Sequence, residues 1–318
     1  MPAVLFIKTS SLGDVIHQMP AITDARTHMP ADTRLVWVVE EPYAPLARLH
    51  PGIDQVIRVN SRRWRLAPVA PATWGEIRTF ARTVRCRDYD AVIDTQGLFR
   101  SALIARFAYG PRHGYDGGSV RERAATWFYT ITHTVPRDRH AIVRNRELTA
   151  RALGYDVSGS IDFGLSRKRL GGRAPAGKAY AILLHATARR EKEWPEPHWI
   201  ELGRALTAGG HSVVLPWGTK AERTRSERLA AAIPGAQVPE RQPLDQTARL
   251  VAGASVVVGV DTGLMHLAAA LAVPLVGIFV GSEPGLTGPM GSGPIAIVGG
   301  KGAMPTVAEV RTALDRVG

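Results

Sequence analysis

Val4-Leu5-Phe6-Ile7-Lys8-Thr9-Ser10-Ser11-Leu12-Gly13-Asp14-Val15-Ile16-His17 is the stretch that decides the fold. Its apolar run reads as a buried strand. A short Ser/Gly turn follows, and a helical pattern then begins with a carboxylate in its first turn. Strand, turn and helix in that order place Asp14 at the carboxyl edge of a parallel sheet, where open α/β folds build their active sites. A carboxylate there either stabilises the helix N-terminus through the dipole or acts as a catalytic base, and the stretch alone leaves both open.

Working outward, strand patterns recur at 35–39, 55–59 and 91–95, with helical patterns at 20–28, 42–49, 74–85, 97–108 and 139–153. The last of these runs into Gly154, a natural helix stop. A second series follows, with strands at 180–185, 212–216, 255–260, 275–280 and 295–298 and helices at 199–208, 221–233, 245–252, 264–271 and 307–317. Alternation of this kind predicts parallel sheets with crossover helices. A chain of 318 residues has room for two domains. The expected architecture is therefore α/β: two Rossmann-like domains with parallel sheets facing a central cleft. The first is expected over 1–165 and the second over 179–318, joined by a Gly-, Pro- and charge-rich linker at 166–178. The final helix is expected to pack back on the first domain.

Lys+Arg 40 against Asp+Glu 28 gives a formal charge of +12, which draws a protein to polyanions: nucleic acid, an anionic membrane face or a phosphorylated substrate. An Arg-rich solvated surface accounts for the same numbers without any partner. Cys86 is the single cysteine, so no disulfide forms within the chain and nothing points to an oxidising compartment. Lys8 interrupts the N-terminal apolar run too early for a signal peptide. Residues 262–282 carry no Lys, Arg, Asp or Glu and approach the length of a membrane span. Gly263, His266 and Pro274 instead divide them into turn, helix and strand, so a cytoplasmic protein is expected.

Neither GxGxxG nor a P-loop follows the first strand, which argues against a dinucleotide-dependent dehydrogenase. Asp88-Tyr89-Asp90 matches a loose metal-binding pattern, but it precedes strand 91–95 and reads as a surface turn; no metal site is expected. Two strand exits in the second half are richer. After 181–184 comes a loop with Thr187 and Lys192, groups suited to phosphate oxygens. After 256–260 comes Asp261-Thr262-Gly263-Leu264-Met265-His266, a turn and helix N-terminus of the kind that binds anions. Glu222, behind the exit Trp217-Gly218-Thr219, is placed to hold ribose hydroxyls or is simply an exposed acid near a helix start. In the first half, Arg62, Arg63 and Arg65 flank Trp64 in a basic loop suited to anionic head groups, and Arg121 and Arg123 near Trp127 form a second cluster.

Four motifs together carry a resemblance: Ser10-Ser11-Leu12-Gly13-Asp14-Val15-Ile16-His17; Ile93-Asp94-Thr95-Gln96-Gly97-Leu98; His185-Ala186-Thr187 with Lys192-Glu193-Trp194-Pro195; and Gly259-Val260-Asp261-Thr262-Gly263-Leu264-Met265-His266. They resemble the lipopolysaccharide heptosyltransferase family (glycosyltransferase family 9), most closely its type I members, in order and along nearly the whole chain. The resemblance implies a GT-B, metal-independent, inverting glycosyltransferase without a cofactor. Its donor would be ADP-L-glycero-β-D-manno-heptose and its acceptor Kdo-lipid A. It implies Asp14 as general base and Lys192 as the second catalytic group. Thr187, Lys192, Glu222, Asp261, Thr262, Gly263 and His266 would bind the donor. Ser10, Arg62, Arg63, Arg65, Asp94, Gln96 and Arg121 would serve the acceptor. It further implies a monomer working at the cytoplasmic face of an anionic inner membrane. Two departures stand out: Ala188 replaces a second hydroxyl after Thr187, and Met265 is more typical of type II, which adds the second heptose.

Two other classes compete. A sugar-nucleotide epimerase shares the architecture but would need more acid–base carboxylates than Asp14 and Asp94. A nucleic-acid-binding protein would use the charge, but the arginines are dispersed and no recognition motif is present.

Overall fold

The computed structural model describes residues 1–171, 179–187, 189–281 and 283–318. The chain divides into two compact units, Met1–Gly164 and Leu165–Gly318.

The first unit is built on a parallel sheet in the order β3-β2-β1-β4-β5-β6. Its strands are β1 (Ala3–Ile7), β2 (Arg34–Glu40), β3 (Gln55–Val59), β4 (Ala91–Asp94), β5 (Arg112–Tyr115) and β6 (Ile131–His133). The helices are α1 (Leu12–His28), α2 (Ala44–Ala47), α3 (Ser61–Leu66), α4 (Pro71–Val84), α5 (Phe99–Ala105) and α6 (Ala141–Leu153). Continuous apolar runs make β1 and β2 because both sheet faces are covered, as crossover connections require. Phe80 and Val84 of α4 and Ile104 and Ala105 of α5 share one core cluster with Leu5, Ile7, Val36 and Val38, so these helices lie on one face of the sheet.

Asp90, half of the DxD-like pair, accepts from the Ala3 amide at 2.7 Å and ties β4 to the start of β1. That is the edge opposite the strand exits, as the turn reading expects. Helix α1 begins at Leu12, well before 20, and carries Pro20 inside it. Helix α6 ends on Gly154 in the left-handed region (φ 78°). The sequence reading misses β5 and β6, and it takes 62–65 for a loop. The structure corrects the latter: Arg62, Arg63, Trp64 and Arg65 lie on helix α3.

The second unit carries a parallel sheet in the order β11-β10-β9-β7-β8. Its strands are β7 (Tyr180–Leu184), β8 (Ser212–Val214), β9 (Val256–Val260), β10 (Leu275–Phe279) and β11 (Ile295–Gly299). The helices are α7 (Arg167–Leu170), α8 (Glu196–Ala208), α9 (Lys220–Ala232), α10 (Leu244–Gly253), α11 (Gly263–Ala270) and α12 (Val307–Val317). The apolar stretch 262–282 resolves into α11 and β10. Among the described residues no helix is long and apolar enough to cross a membrane.

Two expectations change here. The predicted linker at 166–178 begins with α7, whose Arg167 donates to the Ala252 and Ala254 carbonyls at 2.8 Å each; residues 172–178 lie outside the described residues. Helix α12, expected on the first domain, buries Val307, Val310, Ala313 and Val317 in the core of the second unit. Its apolar stripe matches the groove beside β10 and β11.

Gly114 on β5 is a position where no side chain fits: an added Cβ would stand 2.2 Å from Cε2 of Tyr129. Gly114→Ala is expected to destabilise the protein by about 2–3 kcal/mol through overpacking, measured by urea denaturation. An unchanged midpoint would show that Tyr129 yields freely.

Candidate active site

In the first sheet the chain runs β1 to β3 in one direction and then crosses to β4 on the other side of β1. The carboxyl ends of β1 and β4 therefore form a topological switch point, the place where such sheets bind ligands. Thr9, Ser10 and Asp14 leave β1 here, and Asp94, Thr95 and Gln96 end β4.

Asp14 does the first of the two things the sequence left open. Its Oδ2 accepts from the Ser11 amide at 2.8 Å and the Ser11 hydroxyl at 3.2 Å, closing the start of α1. Its Oδ1 lies 4.0 Å from Lys8 Nζ, and the side chain is 26% exposed. One oxygen holds the helix start while the other faces the Lys8 ammonium.

Lys8 is a residue the sequence reading passed over. It is buried, and its Nζ donates to the Thr95 carbonyl at 2.8 Å and to Asn145 Oδ1 at 3.4 Å. Burial lowers its pKa, opposed chiefly by the Asp14 charge; Arg121 and Arg144 lower it further. Those two arginines are thus close enough to act on the site, and Arg100 reaches the Ser10 hydroxyl at 3.3 Å. Arg144 stacks on Tyr115, 4.6 Å from the ring centre. The only signal for Lys8 was a lone charge ending an apolar strand; Arg100 and Arg144 looked like ordinary helix-surface residues.

Two acceptor assignments are corrected. Asp94 is fully buried, and its carboxylate accepts from Ser101 Oγ and Tyr129 OH at 2.7 Å each and from the Gln96 and Gly97 amides at 2.9 and 3.3 Å. Burial raises its pKa, and these four donors counteract that. It fastens the β4 turn and offers nothing to a ligand. Gln96 is also buried; its Oε1 takes the Thr9 and Ser10 amides at 3.1 and 3.4 Å, so it positions the β1 exit. Arg63 is tied to Glu76 at 2.6 Å, whereas Arg62, Arg65 and Arg121 stand exposed.

In the second unit the switch point lies between β7 and β9. The two exits singled out from sequence meet across it. Lys192 pairs with Asp261 at 2.5 Å, and the Thr187 hydroxyl donates to the Asp261 carbonyl at 3.0 Å. Thr262 stands at the N-cap position of α11 without a side-chain cap bond, and the first amides leave a positive N-terminus beside the pair. His266 and Met265 are buried. Met265 packs close against Gly277 of β10, so the departure at this position is a packing choice. Ala188 lies outside the described residues. Glu222 closes a capping box: its Oε2 accepts from the Gly218 and Thr219 amides at 2.7 and 3.1 Å.

The Lys192-Glu193-Trp194-Pro195 segment is held by Arg225, which sequence reading missed. Arg225 donates to the Trp194 carbonyl and pairs with Glu193, both at 2.8 Å. The Trp194 indole donates to the Pro305 carbonyl at 2.8 Å. His185, the first residue of its motif, is buried on Ser226 at 2.8 Å. Among the described residues, no group of three or more His, Cys, Asp or Glu is placed to hold a metal.

The model of glycosyltransferase family 9 (heptosyltransferase) matches residues 77–315. The chain belongs to this family. It is 42% identical over 295 residues to lipopolysaccharide heptosyltransferase 1 of Salmonella typhimurium, covering 92% of this chain and 93% of that one. With the Pseudomonas aeruginosa heptosyltransferase 1 it shares 45% over 290 residues, 91% of this chain and 81% of that one. The solved E. coli heptosyltransferase WaaC with ADP superposes with a TM-score of 0.92 at 38% identity, covering 99% of this chain and 100% of that one. The fold is therefore GT-B, and the chain is a glycosyltransferase acting as heptosyltransferase I in lipopolysaccharide inner-core synthesis.

Burial, reinforced by the Arg225 charge, pushes the His185 pKa down to about 4. In the unfolded chain His185 titrates near 6.5, so between that pH and about 4 the unfolded state binds the extra proton. Acidification through that window is expected to remove stability, by about 3 kcal/mol in all. NMR titration should find His185 neutral at pH 5; protonation near 6.5 would show that the buried contact to Ser226 opens.

Proposed function

We propose that the enzyme transfers L-glycero-D-manno-heptose from ADP-heptose to a Kdo hydroxyl of Kdo-lipid A, with Asp14 as general base. The first unit would bind the acceptor and the second the ADP-sugar. The observation that carries the reading is Asp14 itself: a partly exposed carboxylate at a switch point, next to a buried ammonium and near Arg100, Arg121 and Arg144. A sugar hydroxyl is a weak nucleophile at neutral pH, so a carboxylate within reach must take its proton as the new bond forms. The hydroxyl oxygen attacks the anomeric carbon, the bond from that carbon to the ADP phosphate breaks, and ADP leaves with the electron pair. Charge grows on the departing diphosphate. Lys192 and the N-terminus of α11 are preorganised donors for it, with Thr187, Asp261, Thr262 and Gly263 lining the same exit. Glu222 would meet the ribose through the oxygen outside the capping box. With one base and no separate nucleophile, displacement is single and inverts the anomeric centre.

Arg62, Arg65, Arg100 and Arg121 would meet the phosphates and carboxylates of the acceptor. The enzyme would then work as a monomer at the cytoplasmic face of the inner membrane, with no metal and no cofactor besides its donor. The ADP-bound relative and the heptosyltransferase 1 relatives support the donor and the reaction.

Asp14→Asn keeps an oxygen for the helix cap but not the basicity. It is expected to lower kcat by roughly 10²–10⁴ while ADP affinity, read by calorimetry, is retained. Near-normal turnover would remove Asp14 from the mechanism. Lys8→Met removes a buried cation without changing side-chain volume much. It leaves the Thr95 carbonyl and Asn145 Oδ1 without their donor, so it is expected to lower the melting temperature modestly while lowering kcat at least roughly tenfold. Equal losses of stability and activity would make Lys8 a folding residue only.

A further inference from the structure

The most exposed apolar side chains inside the first unit include three that lie together in one short segment. Leu66, Val69 and Trp74 are 82%, 89% and 53% exposed and occupy one short helix–turn–helix, the end of α3 and the start of α4. Trp37, Trp194 and Trp199 are fully buried, whereas Trp74 and Trp127, the latter 80% exposed, point to water. Trp127 lies in the 3-10 turn Arg123–Phe128, which packs on α5. Helices α4 and α5 cover the same sheet face. A soluble surface gains nothing from such groups, and contiguous exposed apolar residues mark a docking site.

The charges around the first patch select the partner. From 61 to 85 the chain carries Arg62, Arg63, Arg65, Arg78, Arg82 and Arg85 against Glu76 alone, and Glu76 is occupied by Arg63 and by the Trp64 indole. Among the described residues Arg62 and Arg65 make no ion pair. Arginines at the rim of exposed Leu, Val and Trp form the pattern that lies in a lipid–water interface: aromatic and aliphatic groups enter the acyl boundary and cations hold anionic head groups. A protein partner would be expected to meet a flatter, less cationic core.

We propose that the α3–α4 tip is a wedge that inserts Leu66, Val69 and Trp74 into an anionic bilayer. The inference rests on the reading of the acceptor as a membrane lipid. Helix α3 follows β3 directly, and Asp14 follows β1 at the same carboxyl edge of a parallel sheet. Insertion at the tip therefore brings the lipid surface to the edge that holds the base. The wedge supplies grip, while the arginines supply attraction.

The test compares the protein with Leu66→Ser/Val69→Ser/Trp74→Ala, all exposed positions. Sedimentation with phosphatidylethanolamine–phosphatidylglycerol vesicles should show the protein bound and the triple variant weakened about tenfold or more. Tryptophan emission should shift to the blue on binding only when Trp74 is present. Phosphatidylcholine vesicles should bind neither. Transfer to a deacylated, water-soluble acceptor should be equal for both proteins, and transfer to acceptor embedded in vesicles should fall in the variant. Unchanged vesicle binding by the variant overturns the wedge, as does a dimer that the substitutions convert to monomer, since a second copy would then cover the patch. Absence of transfer to the soluble acceptor by the unaltered protein would refute the functional reading instead, with the vesicle arms still deciding the wedge.

Discussion

A buried ammonium needs a carboxylate or a set of carbonyls close by, because its desolvation is too costly to leave uncompensated. Both sheets of this enzyme set a lysine against such groups at the same topological place, Lys8 buried and Lys192 half-buried. In the first, Lys8 rises from the end of β1, reaches the Thr95 carbonyl beyond β4 and stands 4.0 Å from Asp14. In the second, Lys192 from the β7 exit reaches Asp261 at the β9 exit, 2.5 Å away. Lys8 ties the β1 exit to the β4 exit through Thr95, and Lys192 ties the β7 exit to the β9 exit through Asp261; each places a cation where a substrate would bind.

The surrounding residues serve these pairs. Asp94, Gln96, Ser101 and Tyr129 fix the two turns that frame Lys8 and Asp14. Arg225 and Trp194 anchor the segment that carries Lys192. Dense hydrogen bonding of this sort holds these groups in place, and preorganised charge is a large source of rate in enzyme sites.

The central strands and the main helices were legible in the sequence because burial on both faces leaves long apolar runs. β5 and β6 were not: they are short, their Arg112–Tyr115 and Ile131–His133 sequences are polar, and their place in the sheet is set by pairing of β5 with β4 and of β6 with β5. Helix α3 hid behind its arginines. Thr187, Lys192 and Asp261 were legible as a set because strand exits announce themselves. The true tasks of Asp94 and Gln96 were not, since a motif shows that a residue is needed but not whether it faces the ligand or the scaffold. Lys8 and Arg225 act through tertiary contacts that no local pattern encodes.

The central claim is that one carboxylate in the first unit and one cation-bearing strand exit in the second achieve a single displacement. The anomeric configuration of the product tests it most directly. The protein is incubated with the β-configured ADP-heptose and Kdo-lipid A, and the one-bond carbon–proton coupling of the new heptose is measured by NMR. The account predicts one α-linked heptose on Kdo for each ADP released. A β-linked product, or free heptose in place of a glycoside, would contradict it.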